Sequence, residues 1–165
     1  MSNLRRFDPQ GRPVFITCVT FDRRAFLHSH SRLVLKAWRT VASEDIELIA
    51  WVLMPDHLHA LIDFGLHDMS KIVHHFKQKF SALYRMRYQT TSGRLWQNRY
   101  WDHIIRDERD FNRRIDYIHN NPVRHKYSTE PSGWRYSSFR DWLSRGVYSP
   151  DWGAIEQDSG REYGE

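Results

Sequence analysis

The sequence predicts an α+β fold, a ferredoxin-like βαββαβ sandwich with a central antiparallel sheet and one further helix after the fourth strand. Apolar and β-branched residues concentrate or alternate in four short segments that are typical of strands, at 14–20, 46–54, 57–64 and 103–106. Apolar residues recur at helical spacing in two longer segments, at 31–43 and 68–88. The resulting order of elements is that of a ferredoxin-like sandwich, in which the first and third strands are central.

Length and composition favour one folded domain. The chain has 165 residues, of which 40% are hydrophobic and 15% aromatic, and this is enough to bury a core. We place the domain at residues 1–145 and an acidic tail at 146–165. Aromatic residues between 134 and 152 are expected to pack against the domain, and the acidic end after Asp151 is expected to be mobile.

Capping and turn residues divide the elements from one another. The Pro-Asp pair at 55–56 is the turn of a hairpin between the second and third strands. Asp68 and Asp107 are suitable N-caps for the second and third helices. The third helix is expected to end at 120–121, because the residue that precedes a proline, here Pro122, is disfavoured in the helical region.

Two features concern the location of the protein. No apolar run approaches eighteen residues, and the N-terminus is polar where a signal peptide would be apolar. The single cysteine, Cys18, lies in an apolar strand and has no partner for a disulfide, so we interpret it as a core residue. These observations predict a cytoplasmic protein without a membrane segment.

Charge is segregated along the chain. Residues 1–40 carry eight Arg or Lys against two acids, and residues 71–114 carry eleven against four, whereas residues 41–70 hold six acids and no base. Such clustering favours a basic surface, whose natural partner is a polyanion. From charge alone, an unevenly charged and inert surface is the alternative.

Two histidines carry the clearest chemical signal. His57 and His59 alternate along the third strand, so their side chains lie on one face, about 7 Å apart along the strand and away from the first two helices. Leu58, Ala60 and Ile62 point to the other face, toward the core. Two imidazoles on one face can share a metal ion, although alternating histidines are more often ordinary surface residues.

The third helix offers a candidate nucleophile. Tyr117 lies to one side of the apolar stripe of this helix, and Asn121 follows four residues later on the same side. A phenol is a poor nucleophile until its proton is removed or its target is polarised, and neighbouring arginines and a metal ion would help in both ways. The apolar stripe consists of Phe111, Ile115 and Ile118.

Four segments stand in a fixed order along the chain: MPDHLH at 54–59, WQNRYWDHIIRD at 96–107, YIHNNPV at 117–123 and WRYSS at 134–138. Together they resemble the ordered signatures of the HUH single-tyrosine transposases, in particular those of the REP-associated tyrosine transposase branch. The resemblance extends over residues 10–145. Four motifs in the right order are far more specific than any one of them.

The resemblance implies a chemistry for named residues. In that family the H-hydrophobic-H pair, here His57 and His59, binds a divalent ion, Mg²⁺ or Mn²⁺. The tyrosine of the Y-I-x-x-N-P motif, here Tyr117, attacks a DNA phosphate. The polar residue four positions later, here Asn121, resembles the third metal ligand, and Asn120 stays open as an alternative because a proline follows directly.

The resemblance also implies a substrate. The expected enzyme cleaves and rejoins single-stranded DNA at hairpin-forming palindromic repeats (REP-like repeats) through a 5′-phosphotyrosine, as a monomer or a dimer, without a small-molecule cofactor. Basic residues are candidates for phosphate contacts, and aromatic residues near 96–101 are candidates for stacking on unpaired bases. The candidate DNA-binding residues are Arg5, Arg6, Arg12, Arg23, Arg24, Lys77, Lys79, Arg85, Arg87, Trp96, Arg99, Arg113 and Arg114.

Two other classes of function compete with this interpretation. A metal-dependent phosphodiesterase would use the two histidines with a water molecule and would not need Tyr117, but the sequence has no second convincing ligand cluster. A non-catalytic nucleic-acid-binding module on the same sandwich would use its sheet as a stacking platform, and it would want aromatic residues rather than histidines in mid-sheet.

Overall fold

The computed structural model describes residues 13–154 and confirms the predicted α+β sandwich. Its sheet is antiparallel throughout, with the strands in the order β2-β3-β1-β4, so that β1 and β3 are central as expected. The strands are β1 (Val14–Val19), β2 (Glu47–Leu53), β3 (His57–Asp63) and β4 (Trp101–Ile104).

Helices cover both faces of the sheet. Alternation along β1 and β3 sends one set of side chains, including Ile16, Leu58 and Ala60, against the first two helices, while Phe15 and Leu61 join a second core under the third. The helices are α1 (Ser31–Val41), α2 (Met69–Tyr88), α3 (Glu108–Arg124) and α4 (Phe139–Ser144). His57 and His59 therefore lie on the face that α3 covers.

Helix α3 does not end before Pro122, as the sequence predicted, but continues through it to Arg124. The proline ring removes one backbone donor, which costs the bond to the carbonyl four residues earlier. Beyond the proline the hydrogen bonding continues, because the backbone N–H of His125 donates to the carbonyl of Asn121 and that of Tyr127 donates to the carbonyl of Pro122. Burial of Pro122 together with Ile118 and other residues of this helix compensates for the lost bond.

The fourth strand is also displaced from its predicted position. It begins at Trp101 rather than at 103, because Trp101 pairs with Thr17 of β1 and His103 pairs with Phe15. Asp107 caps α3 as expected, with its carboxylate accepting from the backbone N–H of Asp110 at 2.8 Å.

The folded unit extends beyond the predicted boundary at 145. Tyr148 is buried and its ring stacks on Phe139, while Trp152 packs on both rings. The Tyr148 hydroxyl lies 2.9 Å from Nδ1 of the buried His119 and donates to Asp116 at 3.1 Å, so it ties the C-terminal segment to α3. Tyr148 and Trp152 thus pack on the domain, as predicted for the aromatic residues between 134 and 152, and residues 155–165 lie outside the described residues.

No helix in the described part of the chain is long and apolar enough to cross a membrane.

Tyr148→Ala is expected to lower the free energy of unfolding by about 3 kcal/mol, because it removes a buried aromatic ring and the hydroxyl between His119 and Asp116. Urea denaturation measures the change. Tyr127→Ala, at a position that is 52% exposed, is the matched control and should stay within about 0.5 kcal/mol of the parent. Equal effects of the two substitutions would contradict the role assigned to residues 146–154.

Candidate active site

Two imidazoles form the floor of the site. His57 and His59 project from the same face of β3, and their ring centroids are 4.8 Å apart. In the sheet His59 lies opposite Thr17 of β1, and His57 lies opposite Val19. Both histidines are buried, with 8% and 5% of their surface exposed. The predicted placement on one face is confirmed.

Protein groups hold one nitrogen of each ring. Nδ1 of His57 donates to Asp56 Oδ1 at 2.6 Å, and Arg23 in turn donates to the other oxygen of that carboxylate at 3.2 Å. Nδ1 of His59 lies 2.8 Å from the hydroxyl of Thr17. These partners orient the rings and leave Nε2 of each as the nitrogen that can bind an ion, an arrangement typical of histidines that serve as metal ligands.

The charge state of His59 suits a metal ligand. Burial lowers the pKa of its imidazole well below the usual value, and electrostatic interactions with His57, His125, Arg114 and Arg124 lower it further. At neutral pH the ring is therefore neutral and its lone pair is available, since a metal binds the deprotonated imidazole.

Helix α3 places Tyr117 above this floor. Phe111, Ile115 and Ile118 anchor the helix in the core, and Tyr117 extends toward β3 with its ring 5.2 Å from that of His59. The side chain is half-buried. The nucleophile predicted from the helical wheel thus lies beside the predicted metal ligands.

Two arginines bring positive charge to the same place. The guanidinium of Arg124 lies 5.1 Å from the ring centroid of Tyr117, and that of Arg114 lies 5.0 Å from the centroid of Phe15. Phe15 contacts both His59 and Tyr117, at centroid separations of 5.3 and 5.8 Å. A phosphate between the imidazoles and the phenol would find two cations within reach.

Asn121 fits the third ligand better than Asn120 does. It is completely buried, and neither its amide oxygen nor its amide nitrogen has a hydrogen-bond partner among the described residues. It follows Tyr117 by one helical turn, on the same side of α3. The amide oxygen of Asn120 is also buried without a partner among the described residues, but it lies beside Gly153, 3.1 Å from where a Cβ would stand there, on the side of the C-terminal segment.

The donor set is compatible with a divalent ion. Within residues 13–154 no three His, Cys, Asp or Glu side chains form a metal-binding group, so the two histidines need a ligand of another type. An unpaired, buried amide oxygen at Asn121 meets that need, because amide oxygens are ligands of Mg²⁺ and Mn²⁺.

The candidate DNA contacts are distributed over the surface. Arg5, Arg6 and Arg12 lie outside the described residues. Arg23 donates to Asp56, Arg114 lies over the ring of Phe15, and Arg113 is exposed on α3. Arg24 donates to the carbonyl of Arg94, and Arg85 donates to that of Gly93. The others that remain accessible are Lys79, Arg87 and Arg99.

Two of the candidate DNA contacts are wrong. Trp96 is buried, with 5% of its surface exposed, and its ring packs on Phe76 and Phe80 in the core under α2. Lys77 is also buried, and its ammonium donates to the carbonyls of Gln97 and Arg99 at 3.0 and 3.2 Å. Neither side chain offers a surface to DNA.

Sequence reasoning missed several residues of the site. The Pro-Asp pair at 55–56 predicts only a turn, although the position of Asp56 next to His57 is a usable signal of their contact. Thr17 touches His59 through a strand pairing that no local pattern reveals. Arg124 lies seven residues after Tyr117 and is therefore on the same side of α3, but the local preference at Pro122 predicts a helix that ends before Arg124.

Asn121→Leu is expected to raise the free energy of unfolding by about 1–3 kcal/mol in buffer with a chelator, because it removes a buried amide without partners. Urea denaturation measures the gain. Asn112→Leu, on the same helix at a residue that has a partner, is the control and should give no gain. A loss of stability in Asn121→Leu would contradict the view that this amide is kept for binding.

Comparisons with known proteins agree with this geometry. The family model described as "Transposase IS200 like" matches residues 14–121. A REP-associated tyrosine transposase of Escherichia coli K12 is 31% identical over 156 residues, which cover 92% of this chain and 91% of the relative. A Haemophilus influenzae Rd protein assigned to the same group is 31% identical over 165 residues, with 93% and 94% coverage.

A solved structure extends the likeness to the fold. It is that of a REP-associated tyrosine transposase bound to a REP hairpin, and it superimposes with a TM-score of 0.79 at 29% sequence identity, over the whole of both chains. The matched family segment contains His57, His59, Tyr117 and Asn121. The chain therefore belongs to the IS200-like transposase family, as a single-tyrosine transposase of the REP-associated branch.

Proposed function

We propose that the protein is a metal-dependent transposase that cleaves and rejoins single-stranded DNA at hairpin-forming palindromic repeats through a 5′-phosphotyrosine. The observation that carries the proposal is the position of Tyr117, whose ring lies 5.2 Å from His59 on the face where two oriented imidazoles and two arginines converge. The hairpin substrate is supported by the REP hairpin bound in the related structure.

Tyr117, Arg114 and Arg124 have separate roles in cleavage. The oxygen of Tyr117 forms a bond to the scissile phosphorus and loses its proton, while the bond from phosphorus to the 3′ oxygen breaks and that oxygen takes up a proton. Arg114 and Arg124 offset the negative charge on the phosphate during the exchange. The phosphotyrosine keeps the energy of the original bond, so a 3′-hydroxyl can later reverse the reaction.

His57, His59 and Asn121 are the residues that would hold the metal. When bound, a divalent ion would polarise a phosphate oxygen and favour in-line attack. Two nitrogen donors shift affinity toward Mn²⁺ and later metals, whereas Mg²⁺ prefers oxygen ligands. Asp56 and Thr17 fix the two rings, and Arg23 fixes Asp56, so that the ligand atoms need little rearrangement.

The phosphodiesterase alternative would make different products from the same site. A water molecule, rather than Tyr117, would attack the phosphate, and the DNA would be released without attachment to protein. We propose a cytoplasmic protein that acts on repeats in single-stranded form.

Tyr117→Phe is expected to abolish the covalent adduct and strand cleavage while DNA affinity stays within about twofold, because only one hydroxyl is removed. Labelled single-stranded hairpin DNA is incubated with the protein and Mn²⁺, and denaturing electrophoresis then shows the covalent adduct and the cleaved strand. Tyr127→Phe, just beyond the end of α3, is the control and should retain the adduct. The same sequence as perfect duplex should yield little cleavage. An adduct in Tyr117→Phe, or cleavage without any adduct in the parent, would contradict the proposal.

The double substitution His57→Ala and His59→Ala should weaken Mn²⁺ binding by about 100-fold or more. Loss of a residue that only orients a metal ligand already lowers metal affinity by about 10- to 100-fold, and here two ligands are removed. Calorimetry without DNA measures the affinity independently of activity. His74→Ala, an exposed residue of α2, is the control. Mn²⁺ affinity that is unchanged in the double variant would show that the ion binds elsewhere.

A further inference from the structure

An exposed tryptophan lies at the edge of the sheet beside the candidate active site. Trp101 is the first residue of the edge strand β4, and 51% of its surface is exposed, although most large aromatic residues of the described chain are buried or half-buried. Its ring meets Phe15 edge-on, at a centroid separation of 5.7 Å, so it stands on the same face of the sheet as the histidines and Tyr117.

The strand pairing places this indole close to the chemistry. Trp101 lies opposite Thr17, and Thr17 lies opposite His59, which is two strands away from the edge. At the spacing of neighbouring strands the backbones of Trp101 and His59 are roughly 10 Å apart. Phe15 bridges the remaining gap, because the same ring contacts Trp101, His59 and Tyr117.

Neighbouring side chains hold the indole in place. His103 is parallel to it, with an interplanar angle of 2° and a centroid separation of 6.0 Å, and Nε2 of His103 is fixed by Asp110 at 2.6 Å. The guanidinium of Arg114 lies 5.5 Å from the indole and 5.0 Å from Phe15. An aromatic surface that is already ordered loses little conformational entropy when a planar ligand stacks on it.

We propose that Trp101 is a stacking subsite for one unpaired nucleobase of the strand whose phosphate lies at Tyr117. The inference rests on the proposed function and adds to it a named subsite. A base is favoured over an apolar partner because Arg114 sets a cation beside the indole and beside Phe15, the ring that also contacts Tyr117, and the phosphate attached to that base would pass near this cation. Stacking on tryptophan tolerates any base and uses the exposed face that the fold leaves open.

The test asks whether Trp101 and one nucleotide of the DNA contribute to affinity through the same contact. All proteins carry Tyr117→Phe, so that binding is measured without cleavage, and each single-stranded nucleotide beside the hairpin is replaced in turn by an abasic site. With Trp101 present, one abasic position next to the cleavage site should weaken binding by roughly 5- to 150-fold. With Trp101→Ala the parent DNA should bind that much more weakly, and the same abasic position should cause no further loss.

Two variants keep the result interpretable. Trp101→Phe retains an aromatic face and should keep most of the affinity and the sensitivity to the abasic position, so it tests the proposal even if Trp101→Ala folds poorly. Tyr88→Ala removes an aromatic residue of similar exposure from the end of α2 and should leave the abasic penalty unchanged.

Other outcomes would overturn the proposal. If Trp101→Ala keeps the abasic penalty, or weakens all DNAs equally, the indole has only a structural role. If Trp101→Ala instead abolishes a concentration-dependent dimer in ultracentrifugation and leaves DNA coupling intact, the edge of β4 binds a second copy of the chain. The binding measurements use proteins that cannot cleave, so they do not depend on adduct formation. A failure of the parent protein to form an adduct would refute the proposed function, and the effect of Trp101 on the abasic penalty would still test the stacking subsite.

Discussion

Contact between the ring of Phe15 and its neighbours holds the two halves of the site together. Phe15 sits in the central strand β1 and touches His59, Tyr117, Trp101 and Arg114, which come from β3, α3, β4 and α3. Without this buried ring, α3 would lose its support on the sheet at the point where the nucleophile stands. The chemistry therefore depends on the packing of one helix across the face of the sheet that the first two helices leave open.

The site contains buried polar groups that lower the stability of the fold and are available to bind a ligand. Its two imidazoles are buried beside cations, which keeps His59 neutral, and Asn121 is buried without a hydrogen-bond partner among the described residues. A buried polar group without a partner is unfavourable in a folded protein, and such groups concentrate where a ligand completes the arrangement. The two imidazoles differ from Asn121, because Asp56 and Thr17 each fix one ring nitrogen through a short hydrogen bond.

Local sequence pattern predicted much of this arrangement, and its failures have physical causes. Alternation along β3 placed His57 and His59 on one face, and helical spacing placed Tyr117 and Asn121 on one side of α3. What it could not supply was strand register, which sets Thr17 against His59 and Trp101 against Thr17. It predicted Lys77 and Trp96 as DNA contacts, but both are buried, because tertiary contacts decide whether a long amphipathic side chain lies in the core or in solvent. It ended α3 too early, because burial of the helix end outweighed the local preference at Pro122.

The central claim is that the phenol of Tyr117 becomes attached to DNA. The most direct measurement is mass spectrometry of the protease- and nuclease-digested product formed from wild-type protein, Mn²⁺ and single-stranded hairpin DNA. The account predicts a single modified peptide that carries a 5′-linked nucleotide on Tyr117, together with a free 3′-hydroxyl on the released strand. A nucleotide on another residue, or cleaved DNA with a free 5′-phosphate and no modified peptide, would contradict it.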